Sequence, residues 1–142
     1  MATDANCIFC KIIAGQIPSM KLYEDDQTLA FLDIGPISRG HTLVIPKYHG
    51  AKLHDLPDET LGKILPVAKR LAIASGAEDY NILQNNGRAA HQLVDHVHFH
   101  VIPKPSKEQG LIIEWPGTQP EKEELQKIHA ELKAKFDQLP KL

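Results

Sequence analysis

The stretch Asp95-His96-Val97-His98-Phe99-His100-Val101-Ile102 restricts what this chain can fold into more than any other. Its residues alternate with period two, the pattern of a β-strand whose successive side chains point to opposite faces. Val97, Phe99 and Val101 are expected to face a core, and His96, His98 and His100 to line the other side. Alternate residues of a strand lie roughly 6.6 Å apart, so neighbouring imidazoles can touch while the outer pair is about 13 Å apart. A merely solvated face is served by Lys, Thr or Glu. Three imidazoles on one face need partners for all their ring nitrogens and titrate near neutral pH, which marks a chemical site on a sheet.

The rest of the chain supplies neighbours for this strand. Lys21 to Glu24 and Thr28 to Asp33 read as short strands, with Asp25-Asp26-Gln27 as the hairpin turn between them. His41 to Ile45 is a β-branched third strand stopped by Pro46, and Tyr80 to Gln84 a fourth. Cys7 to Ile13 reads as a short helix striped by Ile8, Phe9 and Ile12 and ended by Gly15. Asp55 to Ser75 is helical in pattern, with Leu61, Ile64, Leu65, Ala68, Leu71 and Ala72 on one face. Asp55 is its expected N-cap and Gly76 its stop, while Pro66 is expected to bend it or break it in two. A last helix is predicted from Gln119 to Leu139, with Thr118 and Glu121 spaced as a capping box. Leu125, Ile128, Leu132 and Phe136 form its thin apolar stripe, and Glu123–Lys127 and Glu131–Lys135 pair on its solvated side. This order predicts an α+β domain, an antiparallel sheet of about five strands with two main helices.

Composition excludes several classes. The 142 residues suit one domain, 1–142, with a core at about 7–117 and a helical extension at about 118–142. A net charge of −2 gives no broad basic field, so no nucleic-acid partner is expected. No apolar run reaches the roughly 18 residues of a membrane span. Met1-Ala2-Thr3-Asp4-Ala5-Asn6 lacks the basic and apolar regions of a secretory signal. Two cysteines do not make a disulfide framework. The expected location is the cytoplasm, with a nuclear pool allowed for so small a chain.

Two sites emerge from residue types. Cys7 and Cys10 have zinc-knuckle spacing, and His49 with one strand histidine could complete a Cys₂His₂ tetrahedron. The rivals are a redox pair or two plain buried cysteines. The second site is the histidine strand itself. A neutral imidazole is a good nucleophile toward phosphorus if its other nitrogen is held as a donor. A neighbouring imidazole can bind phosphoryl oxygens or move a proton. Asn85 and Gln92 offer neutral amides nearby. A di- or trinuclear metal site fits less well, because carboxylates normally accompany histidines there and only Asp95 is near.

His96-Val97-His98-Phe99-His100-Val101-Ile102 resembles the signature of the histidine triad (HIT) family. The resemblance takes in Asp33, Gly40-His41-Thr42-Leu43-Val44-Ile45-Pro46-Lys47, the Asn85 loop and Gln92. It extends from Cys7 to about Trp115 and is strongest toward the Hint branch of purine nucleoside phosphoramidases, in forms that keep Cys-x-x-Cys. It implies His98 as nucleophile, forming a nucleotidyl-imidazole that water hydrolyses, with His41 orienting and His100 on the phosphate. His96 belongs to the triad and, with Cys7, Cys10 and His49, to a structural zinc site. Asp33 would grip the ribose, Phe31 and Ile34 would wall the base, and Asn85 and Gln92 would lie near the α-phosphate. Trp115 would reach across a two-fold dimer. Two residues depart from the family pattern. Leu93 stands where many relatives place Ser or Thr, and His91 replaces a common Gly.

The resemblance therefore implies a homodimeric hydrolase whose two sheets join across a two-fold. It would cleave adenosine or other purine nucleoside 5′-monophosphoramidates and use no organic cofactor. The rival readings are a diadenosine polyphosphate hydrolase and a nucleotide-binding interaction protein with weak activity.

Overall fold

Residues 3–142 are described by the computed structural model; Met1 and Ala2, part of the stretch read for a secretory signal, lie outside the described residues. The chain divides into two units, one ending at Ile112 and one of Ile113–Leu142.

The first unit is built on five antiparallel strands: β1 (Lys21–Glu24), β2 (Thr28–Leu32), β3 (Thr42–Pro46), β4 (Tyr80–Gln84) and β5 (Phe99–Pro103). Their order across the sheet is β1-β2-β3-β5-β4, which puts the histidine strand between two partners. Asp25 builds the first hairpin turn, its carboxylate accepting from the N–H groups of Gln27 and Thr28 at 2.8 Å each. Directly opposite residues share a face in an antiparallel pair. His100 lies opposite Leu43 on β3 and Leu83 on β4, and Leu43 lies opposite Phe31 on β2.

The two faces are covered differently. Ala30, Val44 and Val101 pack beneath α3 (Ile64–Ser75), against Ile64, Val67, Ala68 and Ala72. Leu29, Phe31, Leu43 and Ile45 pack on the other face against Cys7, Phe9, Cys10 and Ile12 of the N-terminal segment. That segment contains only the six-residue α1 (Ile8–Ile13), so part of the histidine-bearing face is left as a groove. Ile8, expected in the buried stripe, is 46% exposed.

Several boundaries differ from the sequence reading, each for a physical reason. β5 begins at Phe99, so His96 and His98 precede the ladder. The N–H of Val97 donates to the carbonyl of Gly50 at 2.8 Å instead of to a neighbouring strand. The segment from 55 to 75 is broken, as Pro66 suggested, but at Lys63, between α2 (Asp58–Gly62) and α3. Pro66 thereby falls in the first turn of α3, where its missing N–H costs no helical bond. Asp55 does not cap this helix. It ends a 3₁₀ turn (Leu53–Asp55), and Pro57 is the N-cap of α2.

In the second unit, α4 spans Lys122–Asp137. Its N-cap is Glu121, with no side-chain bond, so the Thr118–Glu121 capping box is not formed. Pro120 accounts for this, since the residue before a proline is driven to extended backbone. The ion pair on α4 among the described residues is Lys133–Asp137, at 2.6 Å, in place of the two Glu–Lys pairs expected. Leu125, Ile128, Leu132 and Phe136 are exposed. Among the described residues no helix is long and apolar enough to cross a membrane.

Candidate active site and metal centre

Backbone partners fix the proton positions on three histidines, and one of these, His41, fixes that of a fourth. His98 lies with Nδ1 at 2.7 Å from the carbonyl of His96, which can only accept, so Nδ1 carries the proton and Nε2 a free lone pair. The N–H of Ile37 donates to Nδ1 of His41 at 3.1 Å, so the His41 proton is on Nε2. That Nε2–H faces Nδ1 of His100 at 2.9 Å and a carboxylate oxygen of Asp33 at 3.5 Å. Nδ1 of His100 therefore accepts, and its Nε2 carries a proton. His96 donates from Nε2 to the carbonyl of Pro46 at 2.8 Å, leaving Nδ1 as a lone pair.

Burial keeps these rings neutral. It pushes His98 and His41 below the usual histidine range, and lowers His96 and His100 to about 4. Charging a ring here means losing hydration without a full replacement. Phe9 supplies much of the cover. Its ring meets those of His98, His96 and Phe31 edge-on, with centroids 5.1, 5.8 and 5.9 Å apart. Removing a buried Phe typically costs about 3–5 kcal/mol, which sets the scale on which α1 is held over the histidines.

A groove of about 290 Å³ opens beside this array. Asp33, His41 and His100 line it together with His98, and Asn85, His91 and Leu93 approach from the β4–β5 loop. Leu83, Ile37 and Leu111 add apolar wall. Gly110 allows the chain to bring Leu111 there: at φ +91° it passes so close to Pro103 that a Cβ would lie 2.7 Å from the carbonyl oxygen.

Other residues of the sequence reading sit elsewhere. Gln92 is buried below the loop, its oxygen accepting from Gly87 N–H at 2.7 Å and its amide donating to the Ala51 carbonyl at 2.6 Å. Phe31 is in the core, and Ile34 is 92% exposed. Trp115 belongs to the second unit. Sequence reasoning misses Ile37, Leu83 and Leu111. Only the register of Leu83 opposite His100 carried a signal, and it needs the sheet to be known.

His96 turns away from the groove toward Cys7, Cys10 and His49, and the four donor atoms all lie within 4.8 Å of one another. Tetrahedral zinc, with bonds of about 2.3 Å to sulfur and 2.05 Å to nitrogen, sets S···N edges of roughly 3.6 Å and an N···N edge of roughly 3.3 Å. The separations are 3.4 Å for Cys7–His96, 3.4 Å for Cys10–His49, 3.6 Å for Cys10–His96 and 3.1 Å for His49–His96. Backbone N–H groups support both sulfurs, from Cys10 onto Cys7 at 3.3 Å and from Asp4 onto Cys10 at 3.4 Å. A carboxylate oxygen of Asp4 lies 3.8 Å from Nε2 of His49, the outer partner that a ligating imidazole commonly has. The set fits a metal ion. Asp33, His41 and His100 also offer close donor atoms, but there the proton on His41 makes a hydrogen-bond chain.

A Cys₂His₂ donor set that fits a metal ion, beside a groove lined by His98 with its Nε2 unprotonated, makes a histidine-centred site on an α+β sheet. The HIT domain pattern matches residues 14–107, and the chain belongs to the HIT family. Adenosine 5′-monophosphoramidase HNT1 of Saccharomyces cerevisiae is 58% identical over 134 residues, covering 94% of this chain and 85% of that protein. Adenosine 5′-monophosphoramidase hnt1 of Schizosaccharomyces pombe is 55% identical over 131 residues, covering 92% and 98%. The crystal structure of a histidine triad nucleotide-binding protein from Candida albicans superposes with a TM-score of 0.91 at 50% identity, covering 95% of this chain and all of that one.

Proposed function

We propose that this chain is a purine nucleoside phosphoramidase, hydrolysing adenosine or related nucleoside 5′-monophosphoramidates to the nucleotide and an amine. The observation that carries the reading is the neutral His98 ring, whose Nδ1–H is committed to the His96 carbonyl while Nε2 is left unprotonated beside the groove. The Nε2 lone pair attacks phosphorus, and the bond from phosphorus to the leaving nitrogen breaks. Water then attacks the nucleotidyl-imidazole, and His98 is regained. The chain from Ile37 N–H through His41 to His100 presents the His100 Nε2–H to a phosphoryl oxygen, where negative charge grows. Asp33, at the β2 end of the groove, holds the ribose hydroxyls, with Phe31 and Ile34 toward the base and Asn85 beside the α-phosphate. Gln92 acts by fixing the loop that carries Asn85. In the wild-type protein, adenosine 5′-monophosphoramidate is expected to be turned over with kcat/KM at least about tenfold above that for diadenosine polyphosphates. The reverse order, measured by product chromatography, favours the polyphosphate hydrolase.

The Cys7, Cys10, His49 and His96 set is proposed to hold zinc, which suits thiolate and imidazole ligands. When bound it supplies no chemistry to the reaction and ties the N-terminal segment to the start of the histidine strand. Thiolate ligands suit a reducing compartment, in keeping with a cytoplasmic or nuclear location.

The enzyme is further proposed to be a homodimer. β4 is an edge strand, and its Tyr80 and Ile82 are 44% and 41% exposed, an apolar edge apt to pair with a second copy. Such pairing joins two five-stranded sheets, with Trp115 reaching toward the second subunit's groove. Residues 118–142 are an extension of the catalytic domain. Sedimentation is expected to give twice the mass of one chain for the wild type and a single-chain mass for Ile82→Lys. A wild-type monomer at micromolar concentration removes the dimer.

A further inference from the structure

One imidazole in the groove has no part in this scheme. His91 lines the groove with His98 and His100, and among the described residues its ring makes no hydrogen bond to the protein. It is also the one non-glycine residue with positive φ among the described residues, at +68°. L-residues rarely adopt that conformation, and here the loop imposes it. The His91 N–H donates to the Arg88 carbonyl at 3.0 Å, and the His91 carbonyl accepts from Asn85 Nδ2 at 3.3 Å. Arg88 in turn donates to the Leu93 carbonyl at 2.8 Å. The loop is thus braced around a left-handed residue, and that residue carries an exposed imidazole.

The topology places this ring on the leaving-group side. The groove crosses the sheet from Asp33, at the end of β2, past His41, His100 and His98, to the β4–β5 loop. With the nucleoside at the Asp33 end, the group that departs from phosphorus points toward Asn85, His91 and Leu93. An amine leaves phosphorus poorly unless its nitrogen is protonated. His98 has its one proton on the wrong nitrogen, His100 directs its proton at phosphoryl oxygen, and Leu93 has none to give. Burial keeps both of those rings neutral.

We propose that His91 is the general acid that protonates the departing nitrogen. This rests on the phosphoramidase reading above. As His98 Nε2 bonds to phosphorus, the P–N electron pair passes to the leaving nitrogen, which takes a proton from the His91 imidazolium. In the second step water bonds to phosphorus, the bond to His98 breaks, and the proton released by water returns to His91. One water is consumed and no other reactant is needed.

The test uses the full-length protein and two substrates, adenosine 5′-monophosphoramidate and the 4-nitrophenyl ester of adenosine 5′-monophosphate. The amine needs a proton to depart, whereas 4-nitrophenolate does not. His91→Gly suits the backbone, since glycine adopts positive φ freely, and His91→Asn tolerates it while lacking a transferable proton. In both variants the ratio of kcat/KM for the phosphoramidate to that for the ester is expected to fall about a hundredfold, the usual scale of general-acid catalysis. A ratio taken on one sample is independent of the fraction of protein folded. An unchanged ratio, whether both rates fall together or neither does, overturns the assignment. If the wild type hydrolyses the ester but not the phosphoramidate, the functional reading itself fails and this inference with it. A wild type active on both, inactivated by His98→Ala, leaves the ratio to judge His91 alone.

Discussion

His98→Ala is expected to lower turnover of adenosine 5′-monophosphoramidate by at least about 10⁴-fold, the scale on which enzymes lose rate with their nucleophile. The other three rings of the buried array are committed elsewhere. His41 and His100 are bound to each other, and His96 faces the cysteines. The fold is expected to survive, because the substitution leaves one buried carbonyl, that of His96, without its donor. Such an orphan costs about 1–3 kcal/mol. Asp33, His41 and His100 stay in place, so nucleotide binding should change by less than about tenfold. Steady-state kinetics, a thermal melt and nucleotide titration separate these outcomes. Turnover within tenfold of wild type removes His98 from the chemistry.

The second large effect concerns the proposed zinc. Stripping it with a chelator, or replacing Cys7 or Cys10 by Ala, is expected to lower stability by several kcal/mol and Tm by about 10 °C or more. Four ligands come from three distant parts of the chain: the N-terminal segment, the turn after β3 and the start of the histidine strand. Without an ion the two thiols and two imidazoles, all within 4.8 Å of one another, lose the one atom that would link all four. His96 is the proposed link between this site and catalysis, since its ring faces the cysteines and its carbonyl accepts from His98 Nδ1–H. Activity should therefore fall along with stability, and less steeply. Native mass spectrometry should find one zinc per chain. A protein with no bound metal, whose Tm is unmoved in the Cys10→Ala variant, contradicts the zinc assignment.

Local patterns carried much of this molecule. Period-two alternation identified the histidine strand, and turn chemistry at Asp25 identified the first hairpin, because both depend on near neighbours. Cys-x-x-Cys announced a donor set whose spacing fits a metal ion. Residue spacing left the fourth donor as one strand histidine, and the family resemblance named His96. In the structure the Val97 N–H bonds to Gly50, 47 residues away, instead of to a neighbouring strand, and the His96 ring faces the cysteines. Proline decided the two helix starts that differ: Pro57 took the N-cap expected at Asp55, and Pro120 forbade the capping box at Thr118. The apolar groove wall was illegible because long-range register and packing build it. Leu83 reaches it through sheet register and Leu111 through the close passage at Gly110. Asp33 owed its selection to the family resemblance, and it lies 3.5 Å from His41 in the groove.

The most direct measurement is to quench wild-type turnover of labelled adenosine 5′-monophosphoramidate at alkaline pH, where a phosphorus–imidazole bond survives, and to locate the label by peptide mass. The expected result is one nucleotidyl group per active site, on His98. Label on His100 or His91, or full turnover with no labelled histidine on any quenching timescale, contradicts the mechanism.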